Sequence, residues 1–319
     1  MRVVLLAISL VLAPTLAAAQ SDYPSRPITL LVPFPPGGSA DTVIRPIAQK
    51  VADVLKQPIV IDNRPGGGGN VAAVATKQAT PDGYTLFLTN MGVMSVNPIL
   101  TPDLRFDPVK DFAPITPIIS FPHILVVPAD SPAKTIGELA AYARTKPGGL
   151  SFGSQGVGSG GQIIGEMFKA RLGAPMVHVP FRGAGPAATE IMAGRIDFLF
   201  TSYISVGEQA KAGKLRMIAV AGPNRHPDFP DVPTLEENGI RGVDGGPHFG
   251  FYATHGAPRE TVERLNREVI RVMQEPQVRD RFKALAVELA EPMTPEQFSA
   301  YVKGEHERYA RLIPELGIK

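Results

Sequence analysis

Two glycine-rich turns hold the residues best placed to do chemistry. Residues 30–32 are apolar, Pro33-Phe34-Pro35-Pro36-Gly37-Gly38 turn the chain, and a helical pattern opens at Ser39-Ala40-Asp41. The order returns near mid-chain, where Gly156-Val157-Gly158-Ser159-Gly160-Gly161 separates an apolar run from another helical pattern. The first amides of a helix have no partner inside it, and the helix dipole adds partial positive charge there. Each turn therefore suits an anion. Ser154, Ser159 and Gln162 add side-chain donors to the second turn. Two such turns from two halves of one chain are suited to gripping a small anion between them. The bland alternative is that they only turn the chain.

The second turn also matches G-x-G-x-x-G, a dinucleotide pattern. That chemistry needs an acidic residue about 20 positions on to hold a ribose hydroxyl. Residues 175–183 contain none. Arg182 would suit a 2′-phosphate instead, so an exported NADP-dependent oxidoreductase using residues 156–161 is the rival reading. Phe181 lines a pocket or belongs to the core. Thr201 and Ser202 end an apolar run at a strand C-terminus, where open α/β sheets bind ligands; helix capping explains them equally well. Asp41 reads as a first-turn residue complementing the dipole, not as a general base. The six histidines lack metal-ligand spacing, and no nucleophile elbow, Walker loop or cysteine is present. No catalytic residue, metal or cofactor is expected.

The elements that position these turns follow from periodicity. Strands are expected at 28–32, 59–62, 84–89, 150–153, 176–179, 196–200 and 216–220, with helical patterns between most of them, and further apolar runs stand at 118–121, 124–127 and 249–254. That alternation implies α/β lobes with parallel sheets. Asn70 is expected to cap a helix over 71–79, Thr135 and Glu138 to form a capping box, and Thr294 to cap the last helix. Residues 97–117 read as proline-rich and irregular. The chain is expected to enter a second lobe near 120 and return near 248.

Met1-Arg2, an apolar stretch over 3–16 and Ala17-Ala18-Ala19 form a secretion signal, expected to be cleaved after Ala19. The absence of cysteine excludes disulfides and a lipoprotein anchor at that site. The expected product is a free periplasmic protein. A formal charge of +2 over 319 residues argues against nucleic acid or an anionic membrane as partner.

Residues 33–41, then Asp62-Asn63-Arg64-Pro65-Gly66-Gly67-Gly68-Gly69-Asn70, then Pro81-Asp82-Gly83-Tyr84-Thr85-Leu86, Tyr203 and Asp231-Val232-Pro233-Thr234 resemble the Bug family across the mature chain. These are the extracytoplasmic solute-binding receptors of tripartite tricarboxylate transporters. The resemblance implies a two-lobed periplasmic-binding-protein fold of Venus-flytrap, type II-like form, with a cleft between two parallel-rich sheets. Lobe 1 would comprise 20–120 plus 248–319, and lobe 2 121–247. It implies capture of a small carboxylate (a di- or tricarboxylate, acidic amino acid or aromatic acid) for such a transporter or a related sensing pathway, permease subunits as partners, and a monomer. Carried over by position, the ligand contacts would be Phe34, Gly38, Ser39, Ala40, Asp41, Thr89 and Asn90 in lobe 1. Lobe 2 would offer Ser154, Gly156, Ser159, Gln162, Phe181, Thr201 and Ser202. Pro46 and the Ser39-Ala40 pair depart from relatives.

Overall fold

The computed structural model describes residues 23–101, 103–120, 122–222, 224–226, 229–243, 248–285 and 287–318. The expected signal, residues 1–19, lies outside them. Near the start, Ile28–Val32 (β1) alternates its side chains between two packed faces. Ile28, Leu30 and Val32 join one apolar cluster, and Leu31 joins another. The sheet is therefore covered on both sides. The helix Ser39–Leu55 (α1) covers the first face with Val43, Ile44, Ile47, Val51 and Leu55, spaced at helical period. The strand Ile59–Asn63 (β2), the helix Asn70–Lys77 (α2) and the strand Thr85–Asn90 (β3) follow, and β1 pairs in parallel with β2 and β3.

After β3 the chain makes a π-helical turn, Gly92–Val96, a short helix Asn97–Leu100 (α3) and the strand Phe112–Ser120 (β4). The stretch expected to be irregular thus holds α3 and most of β4. Pro114 and Pro117 masked the strand, since neither can donate to a ladder. They lie opposite Tyr252 and Gly250, and the register shifts twice along that pairing.

The second lobe contains His123–Pro128 (β5), Ile136–Thr145 (α4), Leu150–Ser154 (β6), Gly160–Leu172 (α5), Met176–Pro180 (β7), Ala184–Met192 (α6), Phe198–Ser202 (β8), Tyr203–Lys211 (α7) and Leu215–Ala221 (β9). Its sheet runs β7-β6-β8-β5-β9. The chain then returns through His248–Thr254 (β10), Arg259–Met273 (α8), Pro276–Ala284 (α9), Glu288–Leu289 (β11) and Pro295–Glu315 (α10). The first sheet runs β11-β4-β10-β3-β1-β2. Both sheets are mixed, where the sequence suggested parallel-rich ones. Strands β5 and β10 each arrive from the other lobe, enter at the cleft end and run away from it, so both pair antiparallel with β8 and β3, respectively.

Three helix starts test the capping expectations. Thr294 and Gln297 form the full reciprocal box. Thr135 Oγ1 accepts the Glu138 amide, but the Glu138 carboxylate takes the Lys134 N–H at 2.6 Å, one residue early. Asn70 is not a cap. Gly69, at φ +102°, occupies the N-cap of α2, and Asn70 Oδ1 instead accepts from Asn97 Nδ2 at 2.8 Å. Finally, α10 lies mainly along the first lobe, against the π-helical turn, β4, α3 and α8. Its Phe298 and Val302 belong to the apolar cluster of Phe87 and Tyr252, while Tyr309 and Ile313 belong to the cluster in which Val96 of the first lobe meets the second-lobe core.

Candidate ligand cleft

Strands β1, β3, β6 and β8 all end at the same seam, where parallel strands deliver their following loops. In the first lobe the turn 33–38 is held from behind. Asp41 is 3 % exposed, and both its carboxylate oxygens are occupied. Oδ2 accepts the Gly37 N–H at 3.0 Å and Arg45 Nε at 2.8 Å; Oδ1 accepts Arg45 Nη2 at 2.8 Å and Asn63 Nδ2 at 3.0 Å. Burial pushes this carboxyl up, but the bonds from Arg45, Gly37 and Asn63 outweigh it and hold it below its ordinary value. Asn63 also donates to the Phe34 carbonyl at 3.0 Å. Asp41 therefore fixes the turn, and its charge is cancelled before a guest arrives. Gly38 is the N-cap of α1, so the amides of Ser39, Ala40 and Asp41 are the first-turn donors the helix itself leaves unused. The Ala40 methyl is buried in the lobe core, so the backbone is what that residue presents. Phe34 packs edge-on against Phe249 at 5.6 Å between centroids.

The second-lobe turn spends its side chains on itself. Ser154 Oγ accepts the Gly156 N–H at 3.1 Å and shares a 2.7 Å bond with His178 Nε2. Gln162 Oε1 accepts the Gly158 N–H at 2.7 Å. Ser159 caps α5 by accepting the Gln162 N–H, and Gln155 Oε1 accepts that of Gly161 at 3.2 Å. Ser154, Ser159 and Gln162 thus shape the turn. Phe181 is half-buried beside it, its N–H donated to the Ser154 carbonyl at 3.1 Å. Ser202 is the N-cap of α7 without a side-chain cap bond; its hydroxyl meets that of Ser205 at 3.0 Å. Asn90 Oδ1 likewise accepts the Val93 N–H at 3.2 Å and starts the π-helical turn.

Two hydroxyls stand apart. Thr89, on β3, and Thr201, on β8, are fully buried, and neither Oγ1 has a hydrogen-bond partner among the described residues. An unpaired buried hydroxyl costs about 1–3 kcal/mol. Both sit one residue from the cleft end of a central strand, one in each lobe.

A family model described as "Tripartite tricarboxylate transporter family receptor" matches residues 43–318. The chain belongs to that receptor family. It is 32% identical to the Bug protein BugT of Bordetella pertussis over 300 residues, covering 93% of this chain and 91% of that protein. Two solved structures share its two-lobed fold. One is Rpa4515 of R. palustris with adipate, 30% identical at TM-score 0.87, covering 93% and 99% of the two chains. The other is MatC of Rhodopseudomonas palustris with bound malate, 32% identical at TM-score 0.84, covering 91% and 100%. Receptors of this family are periplasmic binding proteins.

In this receptor the lobes meet backbone to backbone. A Cβ on Gly92 would lie 2.7 Å from the Gly158 carbonyl oxygen, and one on Gly158 would lie 2.1 Å from Asn97 Oδ1. A Cβ on Gly68 would approach the Val157 carbonyl to 3.3 Å. Ile204 of α7 packs against the first-lobe cluster that also holds Phe34. Sequence reasoning missed Asn63, Asn97 and His178 as supports of these turns. Asn63 lay inside a motif already quoted, where an amide one residue past a strand signals a loop tie. Asn97 carried no such signal.

Proposed function

We propose that this receptor captures a small organic carboxylate in the periplasm and presents it to the membrane subunits of a tripartite transporter. One observation carries the reading. Among the described residues, the acid at the turns of the seam, Asp41, is consumed by Arg45, Asn63 and Gly37, which leaves first-turn amides and two unpaired hydroxyls to meet an anion. Charge-assisted hydrogen bonds of this kind are about twice as strong as neutral ones. Micromolar binding corresponds to about −8 kcal/mol, within reach of a handful of them. The relatives with adipate and malate support a dicarboxylate within the wider set of di- and tricarboxylates, acidic amino acids and aromatic acids.

The division into lobes 20–120 plus 248–319 and 121–247, joined by crossings near 121 and 247, belongs to the same proposal. Guest binding bridges the two bodies and draws an open/closed equilibrium toward closed. Capture proceeds without chemistry, by a monomer freed of its signal after Ala19. Thermal-shift titration of the mature protein against these acids and NADP tests the reading. Stabilisation by one carboxylate class without turnover supports it; stabilisation by NADP alone refutes it and restores the oxidoreductase. Mass spectrometry of the exported protein reads the cleavage point.

A further inference from the structure

Charge is scarce where the lobes face each other. Residues 28–41, 63–76, 85–99, 150–165, 176–189 and 198–207 make up the cleft-end strands, their turns and the helix starts that follow. They carry three formally charged side chains: Asp41, Arg64 and Arg182. Asp41 is neutralised by Arg45, and Arg64 by Asp62 at 2.8 Å. Arg182 is exposed and has no acidic or hydrogen-bonding partner among the described residues. Its place is fixed even so. Phe181 N–H bonds the Ser154 carbonyl at 3.1 Å and Gly183 N–H bonds the Gln155 carbonyl at 3.0 Å, so the residue is clamped beside the Gly156 turn. Its downstream flank is clear: a Cβ on Gly183 or Gly185 would meet nothing within 4 Å.

We propose that Arg182 is the residue by which this receptor prefers a dianionic guest to a monoanionic one. The inference rests on the carboxylate reading above and names its class more narrowly. The first-turn amides neutralise one carboxylate of the guest. The second carboxylate meets the guanidinium, whose planar fork matches it in two parallel bonds. An exposed ion pair is weak, but closure excludes water and raises its value. The uncompensated charge also steers anions toward the seam.

The test is calorimetric titration of the mature wild type, Arg182→Gln and Arg182→Lys. The probes are the straight-chain diacids from succinate to suberate and the monoacids of matching length. The wild type is expected to favour its best diacid over the matching monoacid by about tenfold. Arg182→Gln should weaken that diacid by about tenfold while the monoacid changes by less than about twofold. Arg182→Lys should recover part of the loss. Equal weakening of both acids, or none, overturns the role given to Arg182. A wild type that binds none of these acids refutes the carboxylate reading itself, a different result from one that binds mono- and diacid alike. An unchanged melting midpoint in the variants shows that the fold is intact.

Discussion

His178 Nε2 lies 2.7 Å from Ser154 Oγ, the atom that also accepts the Gly156 N–H, so one imidazole on an outer strand of the sheet braces the glycine turn. Burial, and to a lesser extent the charge of Lys169, push this imidazole down to about 4 from 6.5. The folded protein holds it neutral where the unfolded chain is already protonated. Stability is therefore fully present above pH 6.5 and falls as pH drops toward 4. Melting midpoints measured across that window should fall more steeply for the wild type than for His178→Gln. Equal slopes would remove His178 from the account.

Asp41 anchors the other turn, and its loss removes the acceptor of four hydrogen bonds. Asp41→Ala should cost about 2–3 kcal/mol in urea unfolding and weaken carboxylate binding. Asp41→Asn retains one acceptor oxygen and should fall between. A variant as stable as wild type would show that the network does not hold the turn.

Closure can be obstructed without touching a ligand group. Gly92 needs no positive φ, yet a methyl there would press 2.7 Å from the Gly158 carbonyl across the seam. Gly92→Ala should leave both lobes folded while the solution-scattering radius stays at its ligand-free value when adipate or malate is added. A radius that contracts as in wild type would argue against contact closure at this point.

The unpaired threonine hydroxyls separate function from stability. Thr89→Val and Thr201→Val remove a buried hydroxyl that has no partner here, so each should leave stability unchanged or raise it by about 1 kcal/mol. Carboxylate affinity should fall in both. Lost stability with full affinity would mean that these hydroxyls serve the core.

How much of this was readable in the sequence depended on whether local pattern or distant contact set the structure. The β1–α1 unit was legible because a short apolar run, a Pro/Gly turn and helical spacing agree over residues 28–55. The strand β4 was not, because Pro114 and Pro117 break the pattern that its pairing with β10 restores through register shifts. Asn70 satisfied every local rule for a cap, yet a residue 27 positions away, Asn97, claimed its side chain. Ser154, Ser159 and Gln162 were found as polar groups on the right turn. That they bond to the turn itself is a fact of three-dimensional geometry, which spacing does not encode. Asp41 illustrates the same limit: its type and place were plain, but Arg45 and Asn63 define what it does.

The helix α10 has Phe298 rooted in the first-lobe core and Tyr309 in the cluster that the two lobes share. It works as a leaf spring across the joint. Opening must flex this rod or slide one end along its bed, so elastic resistance, and not only the two crossing strands, governs how far the jaws part. A fluorophore near the end of α10, paired with one on α6 of the second lobe, would turn the motion of the whole molecule into a single change of distance.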